Sequence, residues 1–373
     1  MMLRAVLVLV LGMSFIPSWQ PGPPELQILR DDERGELRVL VEGREAFVYQ
    51  YSDWWDLPHY WPLRSPSGKS LLVQQAKPYP HHRSLWVADT VRLEGGRKVS
   101  TYNALYSGQM IGKDAYGPPF RDRVRHVRFR RCESGGGQAV IEDDLLWEAD
   151  GQTPVLDEHL RLVVVALGRG EVFLDLLFTL KASYGSVEFL SDAVHYAWPY
   201  LRMHPRFSGE QGGTITSDNG ATGQEATNMQ VARWIDYSNT VDGVTEGVAV
   251  FQAPDGQDHR WVSREYGTFG PRRSDDQSGR PFTLRKGETI SQHVGILVHR
   301  GDARGGKVAE RYQEFIWGHI GPQNLPATLA PQDRHLPSWI RRTRVITPFL
   351  STRVSPHSGQ YVFSPGFPNT FPR

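Results

Sequence analysis

The sequence predicts an all-β protein: a large antiparallel β-sandwich with one C-terminal helix. Turn formers are abundant, with 37 Gly and 26 Pro in 373 residues. Aromatic residues suited to pleated surfaces are plentiful too, with 11 Trp and 14 Tyr. The chain also alternates repeatedly between apolar and polar residues. Val172, Leu174, Leu176, Phe178 and Leu180 place five apolar side chains on one face of a strand.

The elements follow in order. Leu37, Val39 and Val41 form one alternating set and Phe47, Tyr49 and Tyr51 another; Glu42-Gly43 between them reads as a hairpin turn. Ser65-Pro66-Ser67-Gly68 is a turn. Arg123 to Leu180 reads as a four-stranded meander, turned by Ser134-Gly135-Gly136-Gly137, Asp150-Gly151-Gln152 and Gly168-Arg169-Gly170. Further strands are expected over Met229 to Tyr237, Gly247 to Gln252, Trp261 to Phe269 and Thr289 to His299. Val308, Tyr312, Phe315 and Ile316 keep helical spacing after Gly305-Gly306. No composition break splits residues 30–317, which read as one domain. The tail over 318–373, rich in Pro, Arg and Ser, is expected to be irregular or disordered.

The charge balance excludes some roles. Forty-two basic residues face 41 acidic ones, without a basic stripe, so no nucleic-acid partner is expected. Residues 1–19 read as a signal peptide, with Arg4 ahead of an apolar stretch over Ala5 to Ile16. Secretion or a periplasmic location is therefore expected, with an uncleaved anchor as the alternative. No second apolar run is long enough to span a bilayer. Cys132 is the only cysteine, which excludes an intrachain disulfide and a thiolate zinc site.

Five segments carry a family resemblance. Pro80-His81-His82-Arg83-Ser84-Leu85-Trp86 resembles an "HPHHRGLW" signature, and Arg233-Trp234-Ile235-Asp236-Tyr237-Ser238 resembles "RWVDYSG". Gly247-Val248-Ala249-Val250-Phe251, Trp261-Val262-Ser263-Arg264-Glu265-Tyr266-Gly267 and Leu297-Val298-His299-Arg300-Gly301-Asp302 are similar to "GVAIF", "WHVRDYG" and "LVHxGD". Together and in order they resemble the PmoA-like family, uncharacterised bacterial proteins labelled "methane oxygenase PmoA". The resemblance covers roughly residues 45–317. It implies secretion and a sandwich similar to those of sugar-processing enzymes, the galactose-mutarotase-like supersandwich being one form. Departures are Val262 in place of His, Glu265 in place of Asp, and the segment Asp192 to Arg202, which matches only at its ends. The label conflicts with the architecture: the PmoA subunit of methane monooxygenase spans the membrane many times, and this chain reads as soluble β structure.

The candidate chemistry centres on the loop after Pro80. His81 and His82 would point to opposite faces of a regular strand, but in a loop they can converge. Histidine titrates near neutral pH, so acid/base or substrate-binding work is one reading and a structural turn histidine the other. A metal would need His195, His259 or Glu265 to complete the set, and no HxH or HExxH spacing supports it. No cofactor is predicted, and a divalent metal is the alternative. Arg264-Glu265-Tyr266 falls on an expected strand, Arg264 and Tyr266 on one face and Glu265 on the other. Trp86, Trp234 and Trp261 suit sugar stacking or the core. Asp236 is a candidate carboxylate or a strand-end acceptor, and Arg202 a substrate clamp or a salt-bridge partner. Glu142 and Asp144 read as a solvated face. There is no GxSxG elbow and no phosphate loop, and cysteine catalysis is not expected at Cys132.

The expectation is a carbohydrate-active enzyme (hydrolase, lyase or epimerase) using general acid/base chemistry on a small-molecule or oligosaccharide substrate. His82 and Glu265, with His81, would transfer protons. Arg83, Arg202, Arg264 and Tyr266 would hold substrate oxygens, and Trp86 and Trp261 would stack. The alternative is a non-catalytic carbohydrate-binding or cell-surface module.

Overall fold

The structure, a computed structural model, describes residues 23–76, 79, 81–101, 120–190 and 197–321. The expected signal segment, His195 and the tail beyond 321 lie outside the described residues. Strands β1 (Leu26–Asp31), β2 (Glu36–Val41), β3 (Arg44–Gln50), β4 (His59–Leu63) and β5 (Leu85–Trp86) precede a short pair, β6 (Thr90–Leu93) and β7 (Lys98–Ser100). The meander is β8 (Arg123–Gly135), β9 (Gln138–Ala149), β10 (Thr153–Gly168) and β11 (Glu171–Lys181). Three short strands follow: β12 (Val187–Phe189), β13 (Tyr200–Arg202) and β14 (Thr214–Ser217). Helix α1 (Gly223–Thr227) leads to β15 (Trp234–Val241), β16 (Val244–Gln252), β17 (His259–Ser263) and β18 (Thr268–Ser274). The last elements are β19 (Phe282–Leu284), β20 (Thr289–Arg300) and helix α2 (Val308–Ile316).

These strands form two eight-stranded antiparallel sheets and one of four strands. The first sheet runs β1-β2-β3-β4-β5-β13-β18-β17; the second runs β14-β15-β16-β20-β11-β10-β9-β8, leaving β8 at an edge. The four-stranded sheet is β19-β12-β6-β7. The all-β sandwich with its C-terminal helix is thus as the sequence predicts, and the hairpin and meander fall where expected. Glu42 and Gly43 both take positive φ, the geometry of a two-residue turn matched to strand twist.

The main core lies where the sheets' apolar faces meet. Val172, Leu174, Leu176, Phe178 and Leu180 of β11 join Phe47, Leu85, Leu201, Phe269 and Trp261 there. A second cluster covers the opposite face of the second sheet, where Phe173, Phe251 and Leu297 meet Val308, Tyr312 and Phe315 of α2. Gly295 makes room for this packing: a Cβ there would sit 2.4 Å from the Phe173 ring. Across the sandwich, the Glu246 carboxylate on β16 accepts hydrogen bonds from the Ser67 backbone N–H and hydroxyl, both at 2.7 Å.

Two expectations differ. The strand expected over Trp261 to Phe269 is interrupted by a turn over Arg264–Gly267. Gly267 N–H donates to the Arg264 carbonyl at 2.8 Å, and Gly267 takes φ +103, a conformation glycine alone adopts readily. The alternation argument for Arg264, Glu265 and Tyr266 therefore does not hold. The strand expected from Met229 starts instead at Trp234.

Candidate functional site

A tight turn, not a strand, presents the two histidines. Tyr79 N–H donates to the Ala76 carbonyl at 2.8 Å, and His82 N–H donates to the Tyr79 carbonyl at 2.9 Å. The turn brings the imidazoles together, perpendicular and 4.7 Å apart. His82 stacks on Tyr79 at 4.9 Å and 18°. Trp86 lies 5.6 Å from it and Tyr266 6.4 Å. Thr268 Oγ1 is 3.4 Å from His82 Nδ1. Both histidines are buried. Burial pushes His82 well below the usual histidine range, and the charges of Arg202 and Arg83 and the proximity of His81 add to the shift. His81 is pushed to about 4 by burial, with Arg83 adding. Each ring is thus a neutral imidazole near pH 7.

Strand register brings the next groups to this place. Tyr200 pairs with Trp86 across β13 and β5, and Arg202 pairs with Thr268 across β13 and β18. The Trp86 and Tyr200 rings stack at 5.0 Å and 16°. The Arg202 guanidinium lies 4.5 Å over the Tyr266 ring, and its Nη1 donates to the Tyr266 carbonyl. Among the described residues its Nε has no hydrogen-bond partner. Burial lowers the Arg202 pKa, because water no longer stabilises the cation. Burial likewise raises the Tyr266 phenol, so it stays protonated.

The structure thus gathers His81, His82, Trp86, Arg202 and Tyr266. The remaining sequence candidates sit differently. Arg83 is fully buried against Asp56 at 2.9 Å, with its guanidinium 5.2 Å from the Trp55 ring. Trp261 lies in the main core, and its indole N–H donates to the Ala232 carbonyl at 2.7 Å. The Glu265 carboxylate accepts from Gln224 N–H at 2.9 Å at the start of α1. Arg264 is half-buried at the turn. His259 is engaged by the Arg272 carbonyl and Asp255. Among the described residues no group of three His, Cys, Asp or Glu is placed to hold a metal.

Sequence reasoning passed over Tyr79 and Thr268, which adjoin His82, and Tyr200, which stacks on Trp86. Tyr79 stands between Pro78 and Pro80, directly ahead of the histidines, and that aromatic between two prolines was its signal. It also missed His299, whose Nε2 lies 2.6 Å from Asp236 Oδ1 while Ser238 donates to Oδ2 at 2.9 Å. That group is buried within the second sheet. A cleft of about 690 Å³ lies elsewhere, among Arg44, Arg64, Arg169 and Arg300, and contains none of the predicted site residues.

Among solved structures, the chain is similar to the GH36 α-galactosidase AgaB from Geobacillus stearothermophilus, at 10% identity and TM-score 0.41. The match covers 75% of this chain and 42% of that one. An α-galactosidase from Lactobacillus brevis matches at 10% identity and TM-score 0.36, over 79% of this chain and 42% of that one. A polysaccharide lyase matches at 9% identity and TM-score 0.31, over 79% and 35%. The chain therefore spans less than half the length of these enzymes. No curated protein matches it in sequence. No helix among the described residues is long and apolar enough to cross a membrane. A family model matches residues 36–313, its description carrying no methane oxygenase label, and the chain thereby belongs to a family of unknown function, DUF6807.

Proposed function

We propose that this protein is a carbohydrate-active enzyme working by general acid/base chemistry, with His82 as the proton acceptor. The observation that carries the reading is the meeting of a neutral imidazole, a guanidinium and a protonated phenol around His82, Arg202 and Tyr266. A neutral imidazole can take a proton from a polarised sugar carbon. Arg202 holds substrate oxygens, and Tyr266 can return a proton. Two-carboxylate hydrolysis finds less support, since Glu265, the carboxylate the sequence offered, is spent on the start of α1. Epimerisation or elimination suits these groups better. In this reading Arg83 positions the loop through Asp56, the segment 1–19 exports the chain, and methane oxygenation plays no part.

The test is mass spectrometry of the purified protein with panels of glycosides and oligosaccharides in heavy water, with and without EDTA. The expected result is a product or solvent deuterium on carbon, lost in His82→Ala. Loss with EDTA would add a metal. Binding without product or label would favour the non-catalytic module, which the deep burial of the Trp86 and Tyr200 stack disfavours as a shallow sugar platform.

A further inference from the structure

Five arginines among the described residues are more than nine-tenths buried: Arg83, Arg202, Arg272, Arg273 and Arg311. Three are answered by a carboxylate. Arg83 meets Asp56 at 2.9 Å, Arg273 meets Asp89 at 2.8 Å and Arg311 meets Glu314 at 2.6 Å. Among the described residues, Arg202 and Arg272 form no ion pair, and each keeps an Nε with no hydrogen-bond partner. A buried cation without a counter-charge is costly, and folded proteins rarely carry one without a use for it.

The two share a face. Arg202 pairs with Thr268 and lies on the Tyr200 side of β13, and Tyr200 in turn acts on Arg272, which sits in a bulge of β18 between Pro271 and Ser274. Leu201 and Phe269 point the other way, into the core. Trp86 and Tyr200 stack beside Arg202 on the same face, and the Tyr200 phenol also acts on Arg272. The bonds these arginines do make are modest: Arg202 donates to the Tyr266 carbonyl, and Arg272 Nη1 approaches the Met229 sulfur at 3.9 Å. The acidic groups in their field are Glu210 for Arg202 and Asp275 for Arg272; Asp275 is itself bonded to Arg260 at 3.1 Å. Burial lowers the pKa of both guanidiniums, in keeping with an uncompensated charge. Tyr79, Tyr266 and Met229, at the border of the face, are half-buried.

We propose that the saccharide recognised on this face is acidic: a uronic-acid-containing oligosaccharide whose carboxylate is bound by Arg202, with Arg272 meeting a second acidic group. The inference rests on the carbohydrate reading above and narrows it. A carboxylate offers the planar oxygen pair that a guanidinium fork matches. It also fits the neutral base beside it: neutralising the carboxylate makes the adjacent C–H more acidic, which a neutral His82 requires.

The test is calorimetric binding to the full chain, using oligogalacturonates and glucuronate-containing oligosaccharides, their carboxyl-reduced counterparts, a sulfated neutral oligosaccharide, and citrate. The expected result is that carboxyl reduction weakens binding about tenfold or more, and that Arg202→Met removes that preference while Arg202→Lys keeps part of it. Without ligand, Arg202→Met should leave the melting temperature unchanged or raise it. A steep fall would mark Arg202 as structural and overturn the proposal. Equal binding of acidic and reduced saccharides would overturn the acidic assignment and leave the carbohydrate reading standing. A preference for the sulfated sugar would overturn the carboxylate. Citrate binding as tightly as any saccharide would overturn the carbohydrate reading itself, and no saccharide binding at all would overturn both.

Discussion

Each charged or titratable side chain near the Pro80–Trp86 loop is defined by what it faces. His82 faces aromatic rings and cations, and both burial and charge favour its neutral form. If it is the base, activity should hold level as pH falls through the ordinary histidine range, where an unperturbed histidine would lose most of it. A pH–rate profile falling at the ordinary histidine value would remove His82 from that role. Arg83 faces Asp56 in a fully buried pair. Asp56→Ala should cost about 3–5 kcal/mol, because it strands a buried charge, and urea unfolding would measure it. Asp56→Asn should cost less. The clustering in the loop was legible: His81, His82 and Trp86, close in sequence, also meet in space, the two imidazoles 4.7 Å apart and Trp86 5.6 Å from His82. The fate of Arg83 was not, because its partner lies 27 residues upstream and only the fold brings them together. Trp261 was equally opaque, since a sugar platform and a core anchor use the same residue.

Elements were legible where period and turn chemistry agreed. The β2–β3 hairpin and the β8–β11 meander follow from alternation broken by glycine turns. Helix α2 follows from apolar spacing, which its packing on Phe173 and Phe251 explains. Short strands such as β5 and β13 were not legible. Two or three residues carry no period, and their pairing depends on distant neighbours. The turn between β17 and β18 was hidden by apolar residues on both sides of it. Gly267 makes that turn possible, and it sets Tyr266 under Arg202. Gly267→Ala would force a side chain into φ +103 and to within 2.9 Å of the Met203 Cβ. It should lower stability by about 1–3 kcal/mol and also weaken ligand binding, since Tyr266 moves with the turn. Unfolding and binding measured on the same variant would separate the two effects. A variant as stable as wild type would show the turn to be more tolerant than its backbone suggests.

The whole molecule carries a pH dependence set by its interior. Burial pushes Glu158 up to about 7, against a pull down from its bond with the Trp147 indole, which donates at 2.7 Å; buried Asp143 adds to the rise. The unfolded chain releases this proton near 4.5, while the folded chain keeps it until about 7. Its contribution is therefore complete below pH 4.5 and lost as pH rises to 7, amounting to about 3 kcal/mol. Glu158→Gln should remove that loss, making the variant more stable relative to wild type at pH 8 than at pH 5. Urea titrations at the two values would show it, and an unchanged difference would refute the assignment. His59 works in the other direction. Burial, with Arg83 adding, pushes it to about 3, so stability falls as pH drops below about 6.5 and the unfolded chain takes up its proton. The molecule also has to end its sheets somewhere. Strand β8, at the edge of the second sheet, carries exposed Arg128, Arg130 and Arg131, and the first two are tied back to Asp144 on β9. A strand arriving from another chain would have to crowd these cations together and strip their water for the sake of a few backbone bonds. The row of arginines makes that edge a poor template for aggregation, and the sheet stops at its eighth strand.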